Sequence, residues 1–288
     1  MTSDALEAAL WKLGTKKLIA NLETDMYKGG AFYDSVPPPN RLFNKYDIET
    51  VIIDGSKVYT LSVKDQITTD TIYYLHGGGF ACGLSLIHWE IITYFADRLG
   101  YKIVIPDYPL IPKSDYIEIY DFILDLYKEV SKSKGRIFVV GDSAGASLVL
   151  GLSQLITKHN LRKPEHLIMI SPWMDVAMTN PEIETLQPID PSLDCEGLRY
   201  AGQVYSMGDL QSPLVSPIYG DYTDAAPMTL IVGTLDLLYP ECHKFSEVCK
   251  EKGVNLSFHE YENMVHLFPL FNIPQAKEAR EIMIAAMQ

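Results

Sequence analysis

The segment Val139-Val-Gly-Asp-Ser-Ala-Gly145 has the residue types and spacing of an activated serine. A serine on a sharp turn between a strand and a helix has a strained backbone, and the small residues Gly141, Ala144 and Gly145 relieve the crowding around it. The turn lifts the hydroxyl above the sheet, and the helix N-terminus favours negative charge beside it. A plain glycine-rich turn could carry the same letters. The apolar run before Asp142 and the helical run after Gly145 supply the context that makes Ser143 the expected nucleophile.

A second signal, Tyr74-Leu-His-Gly-Gly-Gly-Phe80, again follows a strand-like run directly. Consecutive glycines let the backbone turn tightly and aim bare N–H groups at a developing oxyanion. Neither G-K-[ST] nor G-x-G-x-x-G follows, so a phosphate-binding loop does not fit. The expected oxyanion donors are the N–H groups of Gly78, Gly79 and Ala144. His76 is expected to prop this loop through hydrogen bonds, with Gly77 as part of the same motif.

A serine nucleophile needs a base, and the chain has seven histidines. His88, His159 and His243 fall within or at the ends of helical candidates, and His166 and His259 fall in or beside strands; these read as surface or packing residues. His266, in a loop after the last strand, reaches the edge where Ser143 must lie and is the expected base. The base needs a carboxylate to hold its tautomer and stabilise the imidazolium. Asp236 follows the penultimate strand and precedes a helix, where a helix N-cap is its bland alternative. Glu241 is the second candidate, although it falls inside that helix.

The elements that must position these groups follow from periodicity. Short apolar runs at 71–75, 102–106, 136–140, 166–170 and 228–232 read as buried strands, and 255–261 as a more alternating one. Helical candidates lie at 86–99, 115–134, 144–158, 241–252 and 274–287. Alternation of this kind predicts an α/β fold with a mostly parallel central sheet flanked by helices on both faces. Asp54-Gly55 between two β-branched runs predicts an N-terminal hairpin. Leu6, Leu10, Leu13, Leu18 and Leu22 predict an amphipathic helix over 4–27, stopped by Val36-Pro-Pro-Pro-Asn40. Residues 174–226 are too long for a simple crossover and read as an insertion over the carboxyl edge of the sheet, where ligands bind in such folds.

With 288 residues, 47% hydrophobic and 21% charged, the chain can bury a sizeable core as one domain over 1–288. Its formal net charge of −13 argues against nucleic acid and anionic membrane surfaces. No apolar run is long enough for a membrane span, and the start lacks a signal-peptide pattern. Cys82, Cys195, Cys242 and Cys249 show no CxxC pairing and read as reduced thiols, with no structural metal, in a cytoplasmic protein.

Together these residues resemble the hormone-sensitive-lipase-like family of α/β-hydrolases, a group of carboxylesterases. The resemblance runs from about residue 71 to the end. It rests on His76-Gly-Gly-Gly-Phe80, Gly141-Asp-Ser-Ala-Gly145, Ser171-Pro-Trp-Met-Asp175, Ser212-Pro-Leu-Val-Ser-Pro217, Asp236-Leu-Leu and Met264-Val-His-Leu-Phe. The order Ser143, Asp236, His266 is the chain order of that fold's triad. Ala146 stands where a second glycine is usual, and Pro109 and Lys113 where an arginine and a glutamate are usual. The resemblance implies a helical cap, from about 1–45 and 176–212, over the pocket. It further implies hydrolysis of short- to medium-chain acyl esters through an acyl-enzyme, without metal or organic cofactor. Phe80, Trp173, Tyr205 and Met207 are the expected pocket walls. An amidase, formamidase or peptidase using the same triad, and a non-catalytic binder of small molecules, are the competing readings. The partner is then a small-molecule ester, and a homo-oligomer is admitted.

Overall fold

The computed structural model describes residues 1–25 and 34–288. Strand β3 (Thr71–Leu75) is buried at every position, which suits a run of Ile, Tyr and Leu in a sheet covered on both faces. With β4 (Lys102–Asp107), β5 (Ile137–Asp142), β6 (His166–Ile170), β7 (Met228–Gly233) and β8 (Leu256–Tyr261) it forms a parallel array. β1 (Tyr46–Ile53) and β2 (Ser56–Val63) form the expected hairpin, and β2 joins β4 antiparallel. Asp54 and Gly55 at the hairpin tip both have positive φ, as a two-residue primed turn demands. The eight strands run in the order β1-β2-β4-β3-β5-β6-β7-β8.

The alternation of side chains sorts the core into two layers. Tyr73, Leu75 and Val139 face one side, packed with α5 (Tyr116–Val130), α6 (Ala144–Lys158) and α9 (Tyr239–Lys252). Ile72, Tyr74, Phe138 and Val140 face the other, packed with α4 (Leu86–Leu99) and α10 (Pro274–Ala286). This is the α/β-hydrolase arrangement expected from the sequence, and several element bounds agree to the residue. The parallel strands point their carboxyl ends to one edge. The loops after β3, β5, β7 and β8 therefore bring His76–Phe80, Ser143, Asp236 and His266 together there.

The N-terminal helix departs from expectation. Gly14, at φ 73°, ends α1 (Ser3–Leu13), and the chain restarts as α2 (Thr15–Ala20) and α3 (Leu22–Asp25). The break shifts the helical phase, so Leu6, Leu10, Ile19 and Leu22 are buried, whereas Leu13 and Leu18 are exposed. Residues 26 and 27 of the predicted helix lie outside the described residues. In the 174–226 insertion, α7 (Ile183–Leu186) precedes α8 (Cys195–Ser206), and α8 packs against α2 and α3. Ile19 and Leu22 share that contact layer with Leu193, Cys195 and Leu198. Among the described residues no helix is long and apolar enough to cross a membrane.

α6 can begin directly at the end of β5 only because Gly145 has no side chain. A Cβ there would sit 2.1 Å from the Leu75 carbonyl oxygen and 2.4 Å from that of His76. Gly145→Ala is expected to cost about 1–3 kcal/mol in urea unfolding, since backbone must move to admit it. An unfolding midpoint equal to the parent's would contradict this packing.

Candidate active site

Ser143 leaves β5 at φ 51° and ψ −121°, a conformation few side chains adopt without strain. Its neighbours hold it there. The Ser143 N–H donates to the Ile170 carbonyl at 2.8 Å, and the Ser143 carbonyl accepts the N–H groups of Ser147 at 3.2 Å and Trp173 at 3.4 Å. Ala146 is buried in the first turn of α6, which starts at Ala144 in spite of the missing second glycine.

The His266 Nε2 lies 3.1 Å from the Ser143 Oγ, and its Nδ1 lies 2.8 Å from the Asp236 Oδ2. A carboxylate accepts only, so Nδ1 carries the proton and Nε2 is free to accept from the serine. The other oxygen of Asp236 accepts the Leu238 N–H at 2.9 Å. Asp236 thus ties down the turn that enters α9 and also orients the imidazole, so its two readings from sequence are compatible. Glu241 points elsewhere: it is buried inside α9, 3.7 Å from Lys244.

Burial works against a charged His266, but the Asp236 carboxylate, with Asp190 and Asp142 beyond it, more than offsets this and raises the imidazole above its ordinary range. The negative field therefore favours the imidazolium that would form when the serine gives up its proton.

The glycine loop after β3 borders the same space. Gly78 has φ 126°, and a Cβ there would lie 2.3 Å from the Cys82 carbonyl oxygen. Only glycine fits. Among the described residues no acceptor takes the N–H groups of Gly78, Gly79 or Ala144. His76 is fully buried and its Nδ1 donates to the Gly77 carbonyl at 2.8 Å. Burial, reinforced by the facing His88, brings His76 down to about 4 and keeps it neutral.

Asp142 is also fully buried. It accepts the Tyr74 hydroxyl at 2.6 Å and faces the His88 Nε2 at 3.3 Å. Burial alone would raise its pKa, but the His88 ring and the Tyr74 hydroxyl overcome that and hold it below the usual carboxylate range. His88 is therefore more than a packing residue. Its position on the inward face of a strongly apolar helix is the sequence signal that it needs a buried partner.

A cavity of about 300 Å³ opens on Ser143 and His266, bordered by Gly78 and Gly79 and walled by Ile19, Val36, Leu84, Leu193 and Leu198. Cys82 also lines it, but burial pushes that thiol up to about 12. The expected aromatic walls do not line it. Phe80 stacks on Tyr205 with ring centroids 3.7 Å apart and on Trp173 at 5.5 Å, and all three belong to the closed core. Met207 lies in a left-handed turn just past α8, 69% exposed.

A family described as the alpha/beta hydrolase fold matches residues 72–270, and the chain belongs to it. An esterase of Acinetobacter venetianus is 33% identical over 218 residues, 73% of this chain and 72% of that protein. An acetyl-hydrolase of Streptomyces hygroscopicus is 28% identical over 74% of this chain and 73% of its own length. A solved hormone-sensitive lipase from a metagenome library superposes with a TM-score of 0.85 at 24% identity, over 100% of this chain and 99% of that one.

Because His266 must be neutral to take a proton and its pKa is raised, kcat/KM for an ester is expected to fall on the acid side with a midpoint above about 6.5. A pH profile with its acid limb below that value would contradict the assignment of His266 or of its carboxylate partner.

Proposed function

We propose that the protein is a serine carboxylesterase acting on short- to medium-chain acyl esters. The observation that carries this reading is the continuous hydrogen-bonded chain from Ser143 through His266 to Asp236, open to an apolar cavity. Relatives named esterase and acetyl-hydrolase support the same chemistry.

In the first step His266 Nε2 takes the Ser143 proton as Oγ bonds to the ester carbonyl carbon. The negative charge moves to the carbonyl oxygen, which accepts hydrogen bonds donated by the free N–H groups of Gly78, Gly79 and Ala144. The imidazolium then gives its proton to the leaving alkoxide as the carbon–oxygen bond breaks, which leaves an acyl group on Ser143. A water deprotonated by His266 attacks that acyl group, and the proton returns to Ser143 as the acid departs. Every acid, base and nucleophile in these steps other than the attacking water is a side chain of this protein, and the steps call for no cofactor.

The N-terminal helices with α7 and α8 form, in this reading, the cap over the pocket, since Ile19 of α2, Leu198 of α8 and Leu193 of the turn before α8 wall the cavity. Four free, buried cysteines support the cytoplasmic setting expected from the sequence.

Ser143→Ala is expected to fold normally and lose about 10⁴-fold or more in turnover. Asp236→Asn should lose activity on a similar scale, because the amide favours the wrong His266 tautomer. Glu241→Gln should keep its activity. Substantial turnover in either of the first two, or its loss in the third, would reassign the triad.

A cavity of about 300 Å³ lies at the small end of ligand pockets, which span roughly 300–1,000 Å³. Each methylene buried in it is worth about 0.8 kcal/mol until the space is full, after which length costs strain. Across p-nitrophenyl esters, kcat/KM is expected to rise from two to about four or six acyl carbons and to fall steeply by about ten. A profile still climbing at about twelve would indicate an open groove instead, and faster cleavage of the matching anilide would favour the amidase reading.

A further inference from the structure

One fully buried carboxylate close to the triad takes no part in the chemistry above. Asp190 lies in the turn between α7 and α8 with no exposed surface. Its Oδ1 accepts the N–H groups of Ser192 at 2.7 Å and Leu193 at 2.9 Å. Its Oδ2 reaches out of the insertion and accepts the Leu237 N–H at 2.7 Å. Leu237 directly follows Asp236, whose own Oδ1 accepts the next N–H, that of Leu238. Two carboxylates from different parts of the chain therefore grip consecutive amides of the loop that aims Asp236 at His266.

The same residue is anchored from a third direction. The Lys16 ammonium of α2 donates to the Asp190 backbone carbonyl at 2.9 Å and also to that of Gln187. Ser192 and Leu193, whose amides Asp190 holds, line the cavity. One residue thus couples the N-terminal helices, through its backbone carbonyl, with the cavity wall and the loop of the triad acid, through its carboxylate.

The charges around it are few. Asp236 and His266 are the titratable groups that act on Asp190, and Asp236, Asp190 and Asp142 are those that act on His266. The Cys242 thiol on α9 faces Asp236 and donates to the Pro172 carbonyl at 3.4 Å; burial keeps it protonated. Lys16 meets Asp190 through the backbone carbonyl. Burial first, and the Asp236 charge second, bring the Asp190 carboxyl up to about 6, opposed by His266 and by the Leu237 and Ser192 amides.

We propose that Asp190 is a positioning residue of the triad: it fixes the 236–238 loop, and its buried negative charge helps hold the His266 imidazolium formed during turnover. It touches no reacting atom and acts through Asp236 and His266. The role in turnover rests on the esterase reading, whereas the action on His266 does not.

The test uses Asp190→Asn in the full chain. The Asn Oδ1 still accepts from Ser192 and Leu193, but an N–H₂ now meets the Leu237 N–H and the charge is gone. kcat is expected to fall about tenfold, as for a lost buried hydrogen bond, with KM within about twofold. The acid limb of kcat/KM, and the His266 ring titration followed by NMR, should both move down by about 0.5–1 pH unit. A merely structural latch would lower the melting temperature and leave both titrations in place, which would overturn the proposal. So would unchanged kcat in a folded variant. If the variant does not fold, the wild type still decides. His266 ring resonances should show a second step at the pH where the Asp190 carboxyl protonates, and a single-step His266 titration would overturn the coupling. An absence of ester turnover in the wild type would sink the esterase reading alone, because the NMR shift needs no substrate.

Discussion

The site depends on one strained residue held in place by its surroundings. Ser143, at φ 51° and ψ −121°, sits in a conformation that costs on the order of 1–3 kcal/mol and persists only if neighbouring structure enforces it. Three contacts do so. β6 takes the Ser143 amide, α6 starts immediately beyond, and the missing side chain of Gly145 lets that helix lie against the ends of β3. The strain places Oγ above the sheet, 3.1 Å from the imidazole, rather than folded back onto its own helix.

Beneath the serine, a buried polar cluster makes the elbow and the glycine loop one rigid body. Asp142, adjacent to Ser143 in sequence, binds the Tyr74 hydroxyl and faces His88. A Cβ on Gly77 would fall 2.3 Å from Oδ2 of the same carboxylate. Tyr108 stacks on His76 with centroids 4.2 Å apart and donates its hydroxyl to the His76 carbonyl. Movement of the glycine loop relative to Ser143 would therefore break buried hydrogen bonds, each expensive to leave unmade. Preorganised donors of this kind need no rearrangement as charge develops.

Much of this was legible in the sequence because the governing constraints are local. A serine between glycines at a strand end, three glycines after another strand, and a histidine in the last strand-to-helix loop each advertise their backbone geometry. The strand positions followed for the same reason, since short fully apolar runs have no solvent face to offer and read as buried strands. What escaped the sequence depends on tertiary facing. Phe80, Tyr205 and Trp173 had the composition of a pocket wall, but their rings pair with each other in the core and face away from the cavity. Leu13 and Leu18 fell on the expected helical stripe until Gly14 broke the phase. His88 looked like packing and nothing in the sequence singled out Asp190, because their partners lie far off in sequence, 54 residues away at Asp142 and 47 at Leu237.

The central claim is that Ser143 receives the acyl group. It is tested most directly by reacting the protein with diethyl p-nitrophenyl phosphate, an ester mimic whose phosphoryl group stays on the attacking oxygen, and mapping the adduct by peptide mass spectrometry. A single diethylphosphoryl group on the peptide that contains Ser143, with esterase activity lost in step with labelling, is the predicted result. Full activity with Ser143 labelled, or inactivation by an adduct confined to another residue, would contradict it.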